Sequence, residues 1–383
     1  MSEGAFAELE TCFKTGGVSA VFDRLATVLR EQKQYHKLFD AICQKKKHEM
    51  GAPLHRPTSF DDIAPDRRDE FEEAYVAAAR EVGNLLLADG KLSQAFVYFH
   101  AVRETEPIRN AIDALPIPTE STEESEELID LAFYKLVHPV KGMQILLKTH
   151  GTCNTITSLD QLFANLSPQQ RGECAAILVR TLHADLIYSV ERDVKQRTPT
   201  AESAQTLKEL TAGRDWLFAE NNYHIDVSHL HSTVRFARSL SPGQPELALA
   251  RDLAIYGSQL SSQFRYPGEP PFSEFYPAHI QLFKYLLDDH RDEALAYFQN
   301  QLEASTEIHD RAMIAYVMVD LLARTDRLNE AVTLAEKYLI DADTEFFGAF
   351  AELCQKAGRT DILRKCAEQR SDFVTYVAAL VQQ

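Results

Sequence analysis

Hydrophobic residues recur every three or four positions along nearly the whole chain, which is the period of a helix with one buried face. Tyr35, Leu38 and Ile42, for example, fall on one face of a predicted helix. Runs in which apolar and polar residues alternate, as a half-buried strand requires, are nearly absent. The pattern therefore predicts an all-α protein.

The most complete predicted unit is a helical hairpin over residues 76–109. Gly83 lies in the middle of its first arm and Ala95 in its second, where two helix backbones approach closely only if the side chains are small. Phe99 is expected to fill the space beside them, and Gly90 to supply the turn conformation that other residues avoid. The spacing of small and large residues thus predicts which faces of the two arms touch.

Together with Pro107, which is expected to end the second arm, this order of residues resembles the tetratricopeptide repeat family, whose repeat is about 34 residues long. Ala294, Ala331 and Leu363 mark three further turns at a spacing close to that period. The resemblance implies an α-solenoid of antiparallel helical hairpins with an irregular central segment. In such a solenoid the concave face usually holds an extended peptide or a partner helix.

Changes in this pattern divide the chain into four segments. They are N-terminal helical hairpins at 1–115 that include the repeat at 76–109, an acidic linker at 116–127, a central helical region with a His-rich segment at 128–272, and C-terminal tetratricopeptide-like hairpins at 273–383. The five glutamates between Glu120 and Glu127 are expected either to form an acidic docking segment or to lead into a helix that begins near Leu128.

Capping residues predict where the central helices begin. Ser167 has the side chain of an N-cap, and Pro168 suits the first helical position, so a long helix is expected after them. A second helix is expected over residues 201–220.

The formal net charge of −17 opposes binding to phosphate backbones and anionic headgroups. Neither nucleic acid nor a membrane is therefore expected as a partner, whereas a protein or peptide segment with basic or apolar anchors is. The six cysteines are scattered without a Cys-x-x-Cys pair, and no signal peptide or membrane span is recognisable. These features favour a cytoplasmic protein.

The centre of the chain carries polar residues that a plain scaffold does not require. His224, Asp226 and His229 have side chains that a transition metal such as zinc accepts. Their spacing matches no standard zinc signature, and Asp226 also suits the N-cap of a helix beginning near Val227. A pocket in this region would draw on further central residues, namely His150, Cys153, Asn154, His183, Tyr223 and Arg235.

Asp288, Asp289 and Asp292 form the Asp-Asp-x-x-Asp pattern through which isoprenoid synthases hold magnesium. Here the three residues are expected in the turn between two repeat helices, and no second magnesium-binding motif accompanies them.

The segment 264–279 is rich in aromatic residues and proline, so it is not expected to be helical throughout. It serves either as a lid over a binding face or as a cap on the central helices. In the second case Phe272, Phe275 and Tyr276 would be buried anchors.

Two functions from different classes remain open. The leading hypothesis is a non-catalytic interaction scaffold without a cofactor. Its binding face would include the candidate residues Tyr98, Arg103, Tyr223 and Arg235. The alternative is an enzyme, or a protein that binds a metal or small ligand, with a central pocket around His150, Cys153, His224, Asp226 and His229.

Apolar residues on the last predicted helix are expected either to pair two copies as a homodimer or to cap the stack. They are Val374, Tyr376, Val377 and Leu380.

Overall fold

A computed structural model describes residues 3–198, 206–340 and 344–382. Within these ranges the chain forms helices, turns and irregular connections but no strand, which confirms the all-α prediction. No helix in the same ranges is both long and apolar enough to cross a membrane. The chain divides into two compact units, Met1–Gly151 and Thr152–Gln383.

The first unit is a succession of helices in which α1 packs on α2, α2 on α3 and α3 on α4. The helices are α1 (Glu3–Glu31), α2 (Tyr35–Glu49), α3 (Arg68–Ala88), α4 (Leu92–Ala101), α5 (Glu106–Ala114), α6 (Glu123–Ile129) and the first half of α7 (Pro139–Leu162). Gly17 interrupts α1 and Gly151 interrupts α7, because both adopt a positive φ that a right-handed helix does not contain.

The hairpin formed by α3 and α4 has the packing expected from its small residues. A Cβ atom added at Gly83 would lie only 2.6 Å from a ring carbon of Phe99, so the ring occupies the space that the glycine leaves. Gly90 adopts a φ of 74° in the turn, and Ala95 is fully buried.

Pro107 does not end α4, contrary to the expectation. The helix stops at Ala101, and Arg103 then adopts a left-handed conformation with a φ of 59°. Pro107 instead lies in the first turn of α5, where its missing N–H is not needed for a helical hydrogen bond.

The acidic segment is helical earlier than expected. Thr122 and Ser125 form a capping box in which each side chain bonds the other residue's backbone N–H, so α6 begins at Glu123 rather than near Leu128. Three of the glutamates lie in its first turn, where the helix dipole favours negative charge.

The second unit holds the remaining helices. They are the second half of α7, α8 (Pro168–Arg197), α9 (Leu207–Thr211), α10 (Val227–Phe236), α11 (Glu246–Gln259), α12 (Phe275–Leu286), α13 (Arg291–Ala304), α14 (Ile308–Arg324), α15 (Leu328–Tyr338), α16 (Thr344–Lys356), α17 (Thr360–Gln369) and α18 (Phe373–Val381). The long helix α8 packs on α9, α10 and α11, and from α11 onward each helix packs on the next.

The predicted start of α8 is confirmed, because Ser167 caps the helix in a capping box with Gln170. The helix expected over residues 201–220 is wrong in its described part. There α9 is short, Gly213 adopts a φ of 67°, and a 3-10 segment follows at Asp215–Asn221. The positive φ at Gly213 stops the helix, and residues 201–205 lie outside the described part of the chain.

The aromatic segment anchors the second unit. Phe272, Phe275 and Tyr276 are all buried, which confirms that these three residues are anchors. The guanidinium group of Arg238 lies 3.7 Å from the centre of the Phe272 ring, in the geometry of a cation–π contact.

The last helix packs on α17 and leaves part of its apolar surface uncovered. Val374 is 81% exposed, Val377 is 54% exposed and Leu380 is 46% exposed, whereas Tyr376 is half-buried. Pairing of two copies through this helix stays a prediction.

Candidate functional site

His224 joins two helices of the second unit. Its backbone N–H donates to the hydroxyl oxygen of Tyr256 at 3.0 Å, and its Nδ1 lies 2.9 Å from the same oxygen. Its Nε2 lies 3.1 Å from a carboxylate oxygen of Asp193. A neutral imidazole satisfies this arrangement if Nε2–H donates to Asp193 and Nδ1 accepts from the tyrosine. His224 thereby fastens the loop before α10 to both α8 and α11.

The electrostatics of this link favour an ionised aspartate and a protonated tyrosine. Burial would raise the pKa of Asp193, but the hydrogen bond from His224 and the charge of Arg197 hold this pKa below its ordinary value. Burial raises the pKa of Tyr256 far above its ordinary value. The protonated tyrosine hydroxyl serves in this structure as a hydrogen-bonding partner of His224.

Asp226 caps α10, as predicted. Its carboxylate accepts hydrogen bonds from the backbone N–H groups of Ser228 at 2.8 Å and His229 at 3.2 Å. The hydroxyl of Ser228 also donates to it, and these bonds lower the pKa of Asp226. His229 takes part in the cap through its backbone.

The described residues contain no group of three or more His, Cys, Asp or Glu side chains placed to hold a metal ion. His224 and Asp226 instead have the separate partners given above.

The residues at 150–154 lie on the two sides of the break in α7. His150 belongs to the first unit, where its Nε2 lies 3.0 Å from a carboxylate oxygen of Glu126. Cys153 and Asn154 belong to the second unit and are exposed.

The other candidate residues of the second unit also have partners of their own. His183 approaches Asp252 at 3.7 Å, Arg235 pairs with Asp160 at 2.7 Å, and the ring of Tyr223 packs against Phe264 at 5.1 Å. In the described part of the chain, these three side chains thus contact three different neighbours, and a shared pocket stays a prediction.

Tyr98 is a buried residue and does not lie on an exposed binding face, contrary to the expectation. It is only 8% exposed, its ring packs edge-on against Phe39, and its hydroxyl lies 2.6 Å from Nδ1 of His36. Arg103 is exposed in the turn after α4.

The three aspartates of the Asp-Asp-x-x-Asp pattern lie in the turn between α12 and α13 and in the first turn of α13. Each is paired with an arginine: Asp288 with Arg291 at 3.2 Å, Asp289 with Arg251 at 3.0 Å, and Asp292 with Arg327 at 3.2 Å. Their charges are used in ion pairs that join neighbouring elements.

An open groove of about 580 Å³ lies in the first unit between the start of α4, the segment 115–118 and α6. We refer to it as the α4–α6 groove. Its apolar surface comes from leucines and prolines, namely Leu92, Leu115, Pro116, Pro118, Leu128 and Leu131.

Three local features hold the walls of this groove. Pro116 and Pro118 keep the segment after α5 extended, since proline fixes φ and lacks a backbone donor. The ammonium group of Lys141, a buried side chain, donates hydrogen bonds to the carbonyls of Asp113 and Leu115 at the end of α5. The capping box of α6 fixes the opposite wall, so the groove belongs to the folded structure of the unit.

Comparison of the chain with models of protein families, with curated proteins and with solved structures found no match.

The rim of the α4–α6 groove is acidic. Glu124 and Glu127 line it from exposed positions on α6, and Lys91 is the basic residue of the lining. An apolar floor with carboxylates at its edge suits a ligand that carries both an apolar side chain and a positive charge.

The sequence indicates this groove through exposed apolar residues and prolines rather than through residue types that carry catalysis or bind metals. Leu115 and Ile117 alternate with two prolines just before the acidic run, and each is 37% exposed. Leu115, Pro116 and Pro118 of this segment line the groove, whereas Ile117 is not among its lining residues.

Proposed function

We propose that the protein is a non-catalytic cytoplasmic scaffold, a tetratricopeptide-like α-solenoid, that binds an extended peptide segment of a partner protein in the α4–α6 groove. The observation that carries this proposal is the groove itself, with its apolar floor and acidic rim. The favoured peptide has a leucine-like side chain next to lysine or arginine.

The packing of the helices supports the solenoid. Neighbouring helices in the sequence pack on each other through α1–α4 and through α11–α18, which is the arrangement that stacked hairpins produce. The contact of Gly83 with Phe99 is the one that the repeat pattern requires.

The free cysteines support a cytoplasmic location. None of the six forms a disulfide, although an oxidising compartment favours such bonds.

The two parts of the groove contribute differently to binding. An apolar side chain that covers Leu115 and Leu128 gains about 25 cal/mol for each Å² removed from water. The carboxylates of Glu124 and Glu127 speed the approach of a basic segment and set its orientation, although exposed charges add little affinity of their own. Apolar burial is therefore expected to give most of the affinity, and the charges most of the selectivity.

Fluorescence anisotropy with a labelled peptide of alternating leucine and lysine tests the proposal. The double variant Glu124→Lys/Glu127→Lys should weaken binding by about tenfold or more, which corresponds to about 1.4 kcal/mol. The matched control is Glu293→Lys/Glu368→Lys, which changes the net charge equally at exposed positions outside the groove. The control should change the affinity less than about twofold.

A third variant separates the apolar contribution. Leu115→Asp places a charge on the floor and should also weaken binding, although it makes the protein more acidic. Equal weakening by both lysine pairs, or unchanged binding by Leu115→Asp, would show that the peptide binds the acidic surface without using the groove.

A further inference from the structure

A second cavity, of about 980 Å³, lies within the second unit and has a different chemistry. It is bounded by α9, by the 3-10 segment that follows it, by one face of α11, and by the end of α12 with the turn after it. We refer to it as the α9–α11 cavity. Its volume is at the upper end of the range that small-molecule sites occupy, about 300–1,000 Å³.

One wall of the cavity is apolar. The rings of Phe218 and Tyr256 lie with their centres 5.3 Å apart at an angle of 54°, and Ile255 precedes Tyr256 on α11. Tyr256 is only 1% exposed, whereas Ile255 is 38% exposed, so the tyrosine mainly supports the wall from behind. This surface suits the body of an aromatic or planar apolar molecule.

The same wall is held in place from behind. The hydroxyl of Tyr256 is bonded by His224, as described above, and the next residue, Gly257, lies directly against the ring of Tyr276. A wall fixed in this way loses little conformational freedom when a ligand binds.

The charged residues that line the cavity are not all neutralised. Arg251 pairs with Asp289 through Nη1, and Asp252 faces His183 at 3.7 Å. In the described part of the chain, the ammonium groups of Lys208 and Lys284, both lining the cavity, have no carboxylate within 4.0 Å.

Two more groups complete the charge pattern. The Nε of Arg251, a residue that lines the cavity, is buried without a hydrogen-bond partner among the described residues. Asp215 has no ion pair in those residues, and the partner of Asp252 is a histidine, which is charged only when protonated. The lining as a whole is balanced, with three basic side chains (Lys208, Arg251 and Lys284) and three carboxylates (Asp215, Asp252 and Asp289). The two ammonium groups without a carboxylate partner, rather than a net charge, therefore indicate where an anion would bind.

We propose that the α9–α11 cavity binds a small organic anion, a carboxylate or a phosphate ester with a flat apolar body. The body lies against Phe218, Ile255 and Tyr256, and the anionic group lies at Lys208 and Lys284. Lysine ammonium groups bind carboxylates and phosphates as point charges, and each of these two lacks a carboxylate partner in the described part of the chain. This site is independent of the peptide groove, which belongs to the other unit.

Isothermal titration calorimetry of the full chain with four probes tests the proposal. The probes are 1-naphthyl phosphate, 1-naphthoate, uncharged 1-naphthol and inorganic phosphate. At least one of the two naphthyl anions should bind, with 1-naphthol at least tenfold weaker and inorganic phosphate weaker still. Tighter binding of the phosphate ester or of the carboxylate identifies which anionic group the cavity prefers.

Two variants locate the bound anion. Lys284→Met removes one ammonium group and should weaken the better naphthyl anion at least tenfold, whereas Lys148→Met, which removes an exposed lysine of the first unit, should leave the affinity unchanged. Ile255→Trp fills the cavity at a position that is 38% exposed, and should abolish binding without changing any charge. Circular dichroism melts confirm that each variant is folded.

The proposal is overturned if neither naphthyl anion binds, if 1-naphthol binds as tightly as the anions, or if Lys284→Met and Ile255→Trp bind like the parent protein.

Discussion

At the scale of single residues, individual close contacts and buried hydrogen bonds help to fix this structure. Gly83 leaves room for the ring of Phe99, and His224 connects two helices through hydrogen bonds to Asp193 and Tyr256. Such contacts have consequences for stability that substitutions and pH changes can measure.

Gly83→Ala tests the packing between α3 and α4. Alanine favours a helix over glycine by about 1 kcal/mol, but its Cβ would lie 2.6 Å from the Phe99 ring. Overpacking of this kind costs about 1–3 kcal/mol, so we expect a net loss of about 1 kcal/mol in the free energy of unfolding. Urea denaturation measures it.

A double-mutant cycle identifies the cause of that loss. In the background of Phe99→Leu, which shortens the ring to a smaller side chain, Gly83→Ala should no longer destabilise. A Gly83→Ala variant that is more stable than the parent protein would contradict the contact.

His231 is expected to make stability depend on pH. Its ring stacks on Phe275 with centres 3.9 Å apart, and burial, aided by the charges of Arg235 and Arg238, lowers its pKa from 6.5 to about 4. The folded state therefore binds this proton less readily than the unfolded chain does. The stability from the neutral ring is fully present above pH 6.5 and is lost as the pH falls toward 4.

The variant His231→Gln isolates this effect from the titration of carboxylates, which also destabilises proteins in acid. Between pH 7 and pH 4.5, the parent protein should lose on the order of 2 kcal/mol more stability than the variant does. Urea denaturation at both pH values checks this, and parallel losses in the two proteins would show that His231 is charged in the folded state.

The cysteines should differ sharply in reactivity. Burial raises the pKa of the thiols of Cys43, Cys174 and Cys354 to about 12, and that of Cys366 to about 11. Cys153 is exposed. Because the thiolate is the reactive form, Ellman's reagent should modify Cys153 in the fastest phase and the four buried thiols only on unfolding.

The variant Cys153→Ser should lack that fastest phase, while the half-exposed Cys12 continues to react. Rapid modification of four or more thiols in the native protein would contradict the burial of these side chains.

At the scale of the elements, capping residues define where helices begin. Ser167→Ala removes the side chain that bonds the backbone N–H of Gln170, and should cost about 1 kcal/mol of unfolding free energy. Ser167→Gly should cost only a few tenths of that amount, because glycine also suits an N-cap position. Equal losses in urea denaturation would show that the capping bond is not the source of the stability.

The sequence predicted those elements whose signals are local. Helical periodicity indicated the all-α class, Ser167 marked the start of α8, and Asp226 marked the start of α10. The wrong predictions concern residues that are compatible with two local structures. Pro107 suits both the end of one helix and the first turn of the next. Gly213 is compatible with a helix in the sequence, but in the structure its φ is 67°.

The two candidate sites could be predicted less well from local sequence. The α9–α11 cavity combines Lys208, Arg251 and Lys284, which are distant in the sequence and come together only when α9, α11 and α12 pack. The helical spacing of Arg251, Ile255 and Gln259 indicates a shared face of α11, but it does not show that a cavity lies over that face. The histidines have the chemistry of metal ligands, but in the structure His224 links two helices and His229 takes part in a helix cap through its backbone.

At the scale of the whole molecule, each unit carries one candidate site. The first unit has the α4–α6 groove for a basic and apolar peptide, and the second has the α9–α11 cavity for a small organic anion. The overall negative charge favours the first ligand and opposes the second, so selectivity for an anion must come from the lysines of the cavity.

Hydrogen–deuterium exchange of the full chain, with and without the leucine–lysine peptide, tests the central claim most directly. The peptide is expected to slow exchange at the start of α4 and in residues 115–131, where the groove is formed. The Glu124→Lys/Glu127→Lys variant should lose that protection, whereas the Glu293→Lys/Glu368→Lys control keeps it. Protection that instead falls on other helices, or is equal in all three proteins, would contradict a peptide-binding function for the groove.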